Sequence, residues 1–268
     1  MDNCQITPTN GPLGVHITGL DLNHPLTEET VIQLQEAFLQ YSLLVFNERN
    51  LDKEVLLRFG RYFGEPVPHP TNHRDQDPEI AEICIISNIE EKGRSLGALG
   101  NEEVAFHADL VFLHTPGSVS ILYCVEAPEQ GGDTFWASGY AAYDALEAAT
   151  KAHLEGLKAV YIHRNPAYNP PVPAAHPLVC THPDGGRKTL FISPGSAHCI
   201  VGMEQGESAP LLAELGDHIT QDRFVWSHSW QPGDLVMWDN RCTLHRRDPF
   251  AADQRRYMRR LQMLGRVS

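Results

Sequence analysis

Downstream of Ile80 the chain breaks into short apolar runs, mostly closed by Gly or Pro, and this pattern most restricts the fold. The runs cover 83–87, 104–112, 119–125, 159–163, 178–181, 190–193, 224–230 and 235–238, with Gly131-Gly132, Gly185-Gly186 and Pro232-Gly233 between them. A parallel α/β sheet would need a helix after nearly every strand. Only two helical stretches interrupt the series, roughly 140–157 and 209–220. The expectation is a mainly β chain with flanking helices, folded as a sandwich or jelly roll.

The flanking helices are expected upstream. Thr27 caps a segment with Glu28 and Glu29 in its first turn and Val31, Leu34, Phe38 and Tyr41 at helical spacing. A buried strand is expected over 42–46, then a second helix opened by Asp52 and stopped near Gly64 by Gly-Glu-Pro. All-β sandwiches commonly run to ~200–250 residues as one unit, so 1–268 is expected to be a single domain. With 42% hydrophobic and 21% charged residues the chain can bury a sizeable core.

Several function classes are disfavoured. A net charge of −13, from 34 acidic against 21 basic residues, opposes attraction to nucleic acid or an anionic membrane. No apolar run approaches the ~18–20 residues of a membrane span, and the polar stretch 1–14 reads as a tail without a signal peptide's charged and apolar regions. A cytoplasmic location is expected, and a homo-oligomer remains open. Cys4, Cys84, Cys124, Cys180, Cys199 and Cys242 form no C-x-x-C pair, which argues for reduced thiols over a zinc ribbon or disulfide framework. The stretches 71–80 with 90–103, and the Pro-rich 164–177, are read either as plain surface connections or as lids.

His107-Ala108-Asp109 falls inside the strand expected over 104–112, where side chains two apart share a face. His245 closes a later strand-like run, and a jelly roll can bring it opposite. Two histidines and one carboxylate on one face of a metal is the arrangement of non-haem Fe(II) oxygenases. The tripeptide alone is weak, because the chain has 14 histidines. His163, His176, His182, His198, His218 and His228 show no ligand pattern and are read as structural. His69 and His73 have helical ligand spacing, but Pro70 stands between them.

The case strengthens with the motifs in order. Phe106-His107-Ala108-Asp109, then Pro128 through Gly131-Gly132-Asp133-Thr134-Phe135-Trp136, then Trp238-Asp239-Asn240-Arg241 with His245, and last Arg255-Arg256-Tyr257-Met258-Arg259-Arg260, resemble the taurine dioxygenase and 2,4-dichlorophenoxyacetate dioxygenase family. Phe63-Gly64-Glu65-Pro66 extends the match to nearly the whole chain. The resemblance implies a double-stranded β-helix, or jelly-roll, core. It implies a dioxygenase that uses Fe(II), O2 and 2-oxoglutarate to hydroxylate an aliphatic C–H of a small organic anion, releasing succinate and CO2. It implies His107, Asp109 and His245 as iron ligands, Thr134 and Arg256 as contacts to the distal carboxylate of 2-oxoglutarate, and His69 and Arg260 as substrate contacts. Where the taurine branch has aromatic residues around its substrate this chain has Asn72 and Ser196, and 234–242 is closer to the phenoxyacetate branch. Taurine itself is not the expected substrate.

The residue chemistry agrees. Three protein ligands on an octahedral iron leave two positions for 2-oxoglutarate and one for O2. The distal carboxylate then needs a cation, and an arginine offers a planar bidentate fork. Eight of the sixteen arginines lie within 241–266. On a strand, Arg256, Met258 and Arg260 share one face, whereas Arg246, Arg247, Arg255 and Arg259 are read as a solvated basic edge. Arg260 then needs a partner, for which a substrate anion, Glu103 and solvent are the alternatives. Among rival outcomes, halogenation is disfavoured by the presence of Asp109, and desaturation or cyclisation fits the same ligands. A non-catalytic jelly-roll module would leave the ligands and the clamp without a use.

Overall fold

The computed structural model describes residues 4–48, 50–70 and 75–267, so Asn72 and His73 lie outside the described residues. Two sheets carry the architecture. Their strands are β1 (Gln5–Pro8), β2 (Val15–Thr18), β3 (Leu43–Asn47), β4 (Cys84–Ser87), β5 (Val104–His107), β6 (Gly117–Glu126), β7 (Thr134–Ser138), β8 (Val225–His228), β9 (Asp234–Asp239), β10 (Thr243–Arg247) and β11 (Tyr257–Leu264). The larger sheet runs β1-β2-β3-β9-β6-β11-β4 and the smaller β8-β7-β10-β5. Neighbours are antiparallel except β2 with β3.

Period-two alternation sorts the larger sheet's side chains. Leu43 and Val45 of β3, Leu122 and Cys124 of β6, Val236 and Trp238 of β9 and Met258 of β11 pack with Trp136, Trp226 and Trp230 on and beside the smaller sheet. The residues between them, Leu44, Phe46, Val119, Ile121, Tyr123, Leu235, Met237, Leu261 and Met263, turn the other way onto the two N-terminal helices. The two sheets therefore face each other across a tryptophan-rich layer, and the helices cover the larger sheet's outer face.

Those helices form where their caps predict. The Thr27 hydroxyl accepts the Thr30 amide at the start of α1 (Glu28–Tyr41), and α1 ends where Ser42 adopts a φ of +64°. Asp52 accepts the Val55 amide to open α2 (Lys53–Arg61). The segment between β7 and β8 forms a third layer from α3 (Gly139–Asp144), α4 (Ala148–Leu154), α5 (Gln205–Ile219) and short antiparallel strands. It packs on Leu110, Val111 and Phe112 and on Ala137 and Leu244 from the smaller sheet. The chain after Asp109 is thus held between two layers.

Some expectations need correction. Part of the expected tail, Gln5–Pro8, pairs with Val15–Thr18 and extends the larger sheet. The helix expected over 140–157 is two short helices, α3 and α4, because α3 ends at Ala145 and Glu147 is extended. The strand expected over 104–112 stops at His107, since Leu110 takes a left-handed φ of +55° and the Gly117 amide turns back to the Asp109 carbonyl. All six cysteines are free thiols. Among the described residues no helix is long and apolar enough to cross a membrane.

Candidate metal centre

Register brings the two histidines together. His245 of β10 pairs directly with His107 of β5 and, on its other side, with Trp136 of β7. The imidazole centroids are 4.1 Å apart. Asp109 arrives through the turn after β5 and not along a strand, so the parity argument for its placement fails although the meeting occurs. Its carboxylate lies 3.8 Å from His107 Nε2 and 3.9 Å from His245 Nε2. One ligand atom from each of the three lies within 4.8 Å of the others, a set that can hold a metal ion.

Hydrogen bonds prepare these atoms. His107 Nδ1–H donates to the Ala105 carbonyl at 2.8 Å, which leaves the Nε2 lone pair facing inward. Burial, then the neighbouring His107, pushes His245 down to about 3, so its imidazole is neutral at physiological pH. Burial alone would raise Asp109, but Arg260, His245 and His107 with the Ser120 hydroxyl hold it well below the usual carboxylate range. The Asp109 carboxylate is ionised and the His245 imidazole is neutral, as a divalent cation requires.

A polar chain behind Asp109 was not read from the sequence. Asn240 Nδ2 donates to Ser120 Oγ at 2.9 Å, and that hydroxyl donates to Asp109 Oδ2 at 2.7 Å. Asn240 Oδ1 accepts both the Asp109 amide and the Trp238 indole N–H at 3.1 Å. Every member is buried. Ser120 could have been found by alternation, since it falls on the inner face with Leu122. Asn240 gives no such signal, because it follows the end of β9.

Two adjoining chambers share His107, Ile86, Leu99 and Arg260 in their walls. The inner one continues past His245 to Thr134, Arg247 and Arg256, and its volume of about 50 Å³ has room for only a few waters. The outer one, about 330 Å³, adds His69, Asp109, Phe112, His163, Tyr168 and Ser196, and lies within the ~300–1,000 Å³ usual for small-molecule sites. Leu99 and Tyr168 bring the stretches 90–103 and 164–177 to its wall.

Arg256 is 2% exposed, and its guanidinium makes no hydrogen bond or ion pair with any described residue. Burial, then the neighbouring Arg247, lowers it to about 9. Thr134 Oγ1 accepts the Trp230 indole N–H at 2.8 Å, so its own proton is free to donate. Arg256, Met258 and Arg260 do share the inner face, since both arginines line the inner chamber and Met258 packs between the sheets. Arg260 meets Asp109 at 3.4 Å and not Glu103.

The expected basic edge divides. Arg255 is exposed and pairs with Glu126, Arg246 lies 3.6 Å above the Phe135 ring, and Arg259 donates to the Leu51 carbonyl. Arg247 is a correction: at 6% exposure it lines the inner chamber, because it stands two residues after His245 on the same face of β10. Of the histidines read as structural, His163 lines the outer chamber between Phe112 and Tyr168 at ring distances of 4.8 and 4.9 Å. His176, His218 and His228 are held by carbonyls or by Asp234.

A second cluster, His182, Asp239 and Cys242, is buried and already occupied by internal bonds. His182 Nε2–H donates to Asp239, its Nδ1 accepts the Asp184 and Gly185 amides, and Arg241 grips the other side of Asp239. No lone pair of His182 remains for an ion.

Comparison with known proteins agrees with this geometry. The family model described as "Taurine catabolism dioxygenase TauD, TfdA family" matches residues 5–262. The chain is 35% identical to an alpha-ketoglutarate-dependent 2,4-dichlorophenoxyacetate dioxygenase of Burkholderia sp. (strain RASC), covering 93% of this chain and 91% of that protein. Among solved structures it superposes on a taurine dioxygenase from Burkholderia xenovorans with a TM-score of 0.84 and 31% identity, over 98% of this chain and 90% of that one. It also superposes on AAD-2, solved in complex with Mn(II) and N-oxalylglycine, with a TM-score of 0.83 and 30% identity, over 98% of both chains.

Proposed function

The chain belongs to the TauD/TfdA family of 2-oxoglutarate-dependent dioxygenases, and from that premise we propose that it hydroxylates an aliphatic C–H of a small organic anion at an iron held by His107, Asp109 and His245. The observation that carries this reading is the convergence of those three ligands, of which His107 and His245 line a chamber that also holds a buried guanidinium, Arg256, with no carboxylate partner among the described residues. An unpaired buried cation is costly, and a carboxylate-bearing co-substrate offsets that cost.

Iron held by these three residues would supply O2 activation for the oxidative decarboxylation of 2-oxoglutarate, which would put one oxygen atom into succinate and the other into the substrate's new hydroxyl and release CO2. The protein's part is positional. Ser120 and Asn240 orient Asp109, and the Ala105 carbonyl sets the His107 tautomer. Arg256 takes the distal carboxylate, with the Thr134 hydroxyl, oriented by Trp230, as a second donor. Arg260, at the junction of the chambers, takes the substrate anion, and His69 lies in the same outer wall. Phe112, His163 and Tyr168 wall the outer chamber on the apolar side.

In this reading the two facing, mainly antiparallel sheets are a jelly-roll core and 1–268 is one catalytic domain. Six free thiols fit a reducing compartment, and the cytoplasm is the location proposed. The test is succinate release with Fe(II), O2 and 2-oxoglutarate across small carboxylates, sulfonates and phosphonates. A compound that stimulates succinate release and is recovered hydroxylated supports the reading. No stimulation by any anion, with iron and 2-oxoglutarate both bound, would contradict it.

A further inference from the structure

Arg247 sits deep in the inner chamber, beside Arg256 and directly across the β7–β10 ladder from Thr134. Its guanidinium makes no ion pair with a carboxylate among the described residues, although the Glu102 charge offsets part of the burial that lowers it to about 10. Nη1 donates to the Leu99 carbonyl at 3.1 Å, Nη2 donates to the Glu102 carbonyl, and Nε is buried without a partner. Its plane lies by the Phe250 ring, 5.3 Å from the centroid. Asn101 reinforces the same seam, exchanging hydrogen bonds with the Phe250 amide and carbonyl at 3.2 Å each. Segment 99–102 is thus stitched to the end of β10, and Leu99 is held there at a left-handed φ of +59°, a conformation that costs energy in a leucine.

Two like charges side by side in a buried pocket repel, and carbonyl dipoles compensate only part of one of them. An anion between Arg247 and Arg256 would balance both. The inner chamber is narrow, about 50 Å³, and Leu99, an irregular-segment residue, belongs to its wall and to that of the outer chamber, so it is a wall that an entering diacid would press on.

We propose that Arg247 is a positioning residue that couples the co-substrate to the substrate chamber, sharing the distal carboxylate with Arg256 while it holds segment 99–102, and so Leu99, in place. This rests on the function proposed above. Loading the inner chamber then tightens the wall of the outer one, because the same guanidinium belongs to both contacts.

The test uses the full chain loaded with redox-inert Zn(II), so that binding is read without turnover. Calorimetric titration of 2-oxoglutarate is combined with hydrogen exchange over 97–103, with and without the co-substrate. In the wild type, 2-oxoglutarate binds and slows exchange in that segment. Arg247→Gln should weaken binding by about tenfold or more and abolish the added protection, as expected when a charge-assisted contact is lost. Arg247→Lys should recover most of the affinity but not the protection, because one ammonium on a flexible stem cannot span two carbonyls. It also carries the test if the glutamine variant fails to fold. A wild type that does not bind 2-oxoglutarate removes the function proposed above. A wild type that binds, with Arg247→Gln binding equally and equally protected, removes only the role of Arg247. A lowered melting temperature with unchanged affinity makes Arg247 structural and likewise overturns the proposal.

Discussion

His107 and His245 are direct partners across the β5–β10 ladder, and their ring centroids stand 4.1 Å apart. Backbone pairing therefore presets the spacing of two ligands before any metal arrives, and Asp109 is placed by a separate turn. His107→Ala, Asp109→Ala and His245→Ala are each expected to abolish activity while the circular dichroism spectrum stays native, because the sheets are held by apolar layers and not by the ion. Metal content and turnover check this together. A variant that keeps both iron and most of its turnover has lost a residue that is not a ligand.

The Asn240–Ser120–Asp109 chain gives the next expectation. Ser120→Ala removes the hydrogen bond to Asp109 Oδ2 and leaves Asn240 Nδ2 without its 2.9 Å acceptor. Partners of this kind typically cost ~10–100-fold in metal affinity or activity when removed. Competition for the metal against a chelator reads this, and an unchanged affinity would make the chain a packing feature only.

What was legible in the sequence follows from periodicity. Short apolar runs mark β3, β6 and β9, parity along β11 puts Arg256 and Arg260 on one face, and cap residues Thr27 and Asp52 start both N-terminal helices. The same rule would have placed Arg247 beside His245 had it been applied to β10, where a cluster of arginines looked like a solvated edge. Asp109 was less legible, because its position depends on a left-handed Leu110 that no apolar pattern announces. His163 reaches the outer chamber by the path of the segment between β7 and β8, which only long-range packing decides. The β1–β2 hairpin escaped because every residue of its first strand is exposed and none marks an inner face.

At the far end of the inner chamber, Arg256→Ala should weaken 2-oxoglutarate binding more than Thr134→Ala does. The first removes a buried charge-assisted fork. The second removes one neutral donor and unpairs the Trp230 indole N–H, on the order of 1–2 kcal/mol. Titration of 2-oxoglutarate into the Fe(II) form without O2 ranks the two, and the reverse order would reassign the clamp.

The metal-free protein should lose stability in mild acid. His176 is buried with its Nε2–H on the Val111 and Leu113 carbonyls, and burial lowers its pKa from 6.5. The unfolded chain therefore binds a proton that the folded chain refuses. The stabilising contribution is complete above about pH 6.5 and is lost as the pH falls through the lower folded value. Melting temperatures between pH 7.5 and 5.5 should fall, and His176→Gln, which keeps a donor but cannot titrate, should flatten part of the slope. An equal slope in both proteins would exclude His176 as a contributor.

The last expectation concerns Arg260, which lines both chambers and approaches Asp109 at 3.4 Å with its Nε buried and unpartnered. That contact is an ion pair but is long for a hydrogen bond, and Asp109 is already held by Ser120 and, through its amide, by Asn240. Much of the guanidinium's bonding capacity is therefore left over for an incoming anion, and the chain's net charge of −13 makes a local cation necessary to recruit one. Arg260→Gln should raise the KM for the primary substrate, uncouple 2-oxoglutarate turnover from substrate hydroxylation and leave the melting temperature nearly unchanged. A role confined to ordering Asp109 and β11 gives the opposite signature, with a lower melting temperature and weaker metal binding at an unaltered KM. Turnover of an uncharged substrate, equally fast in this variant and in the wild type, would remove the anion-binding role.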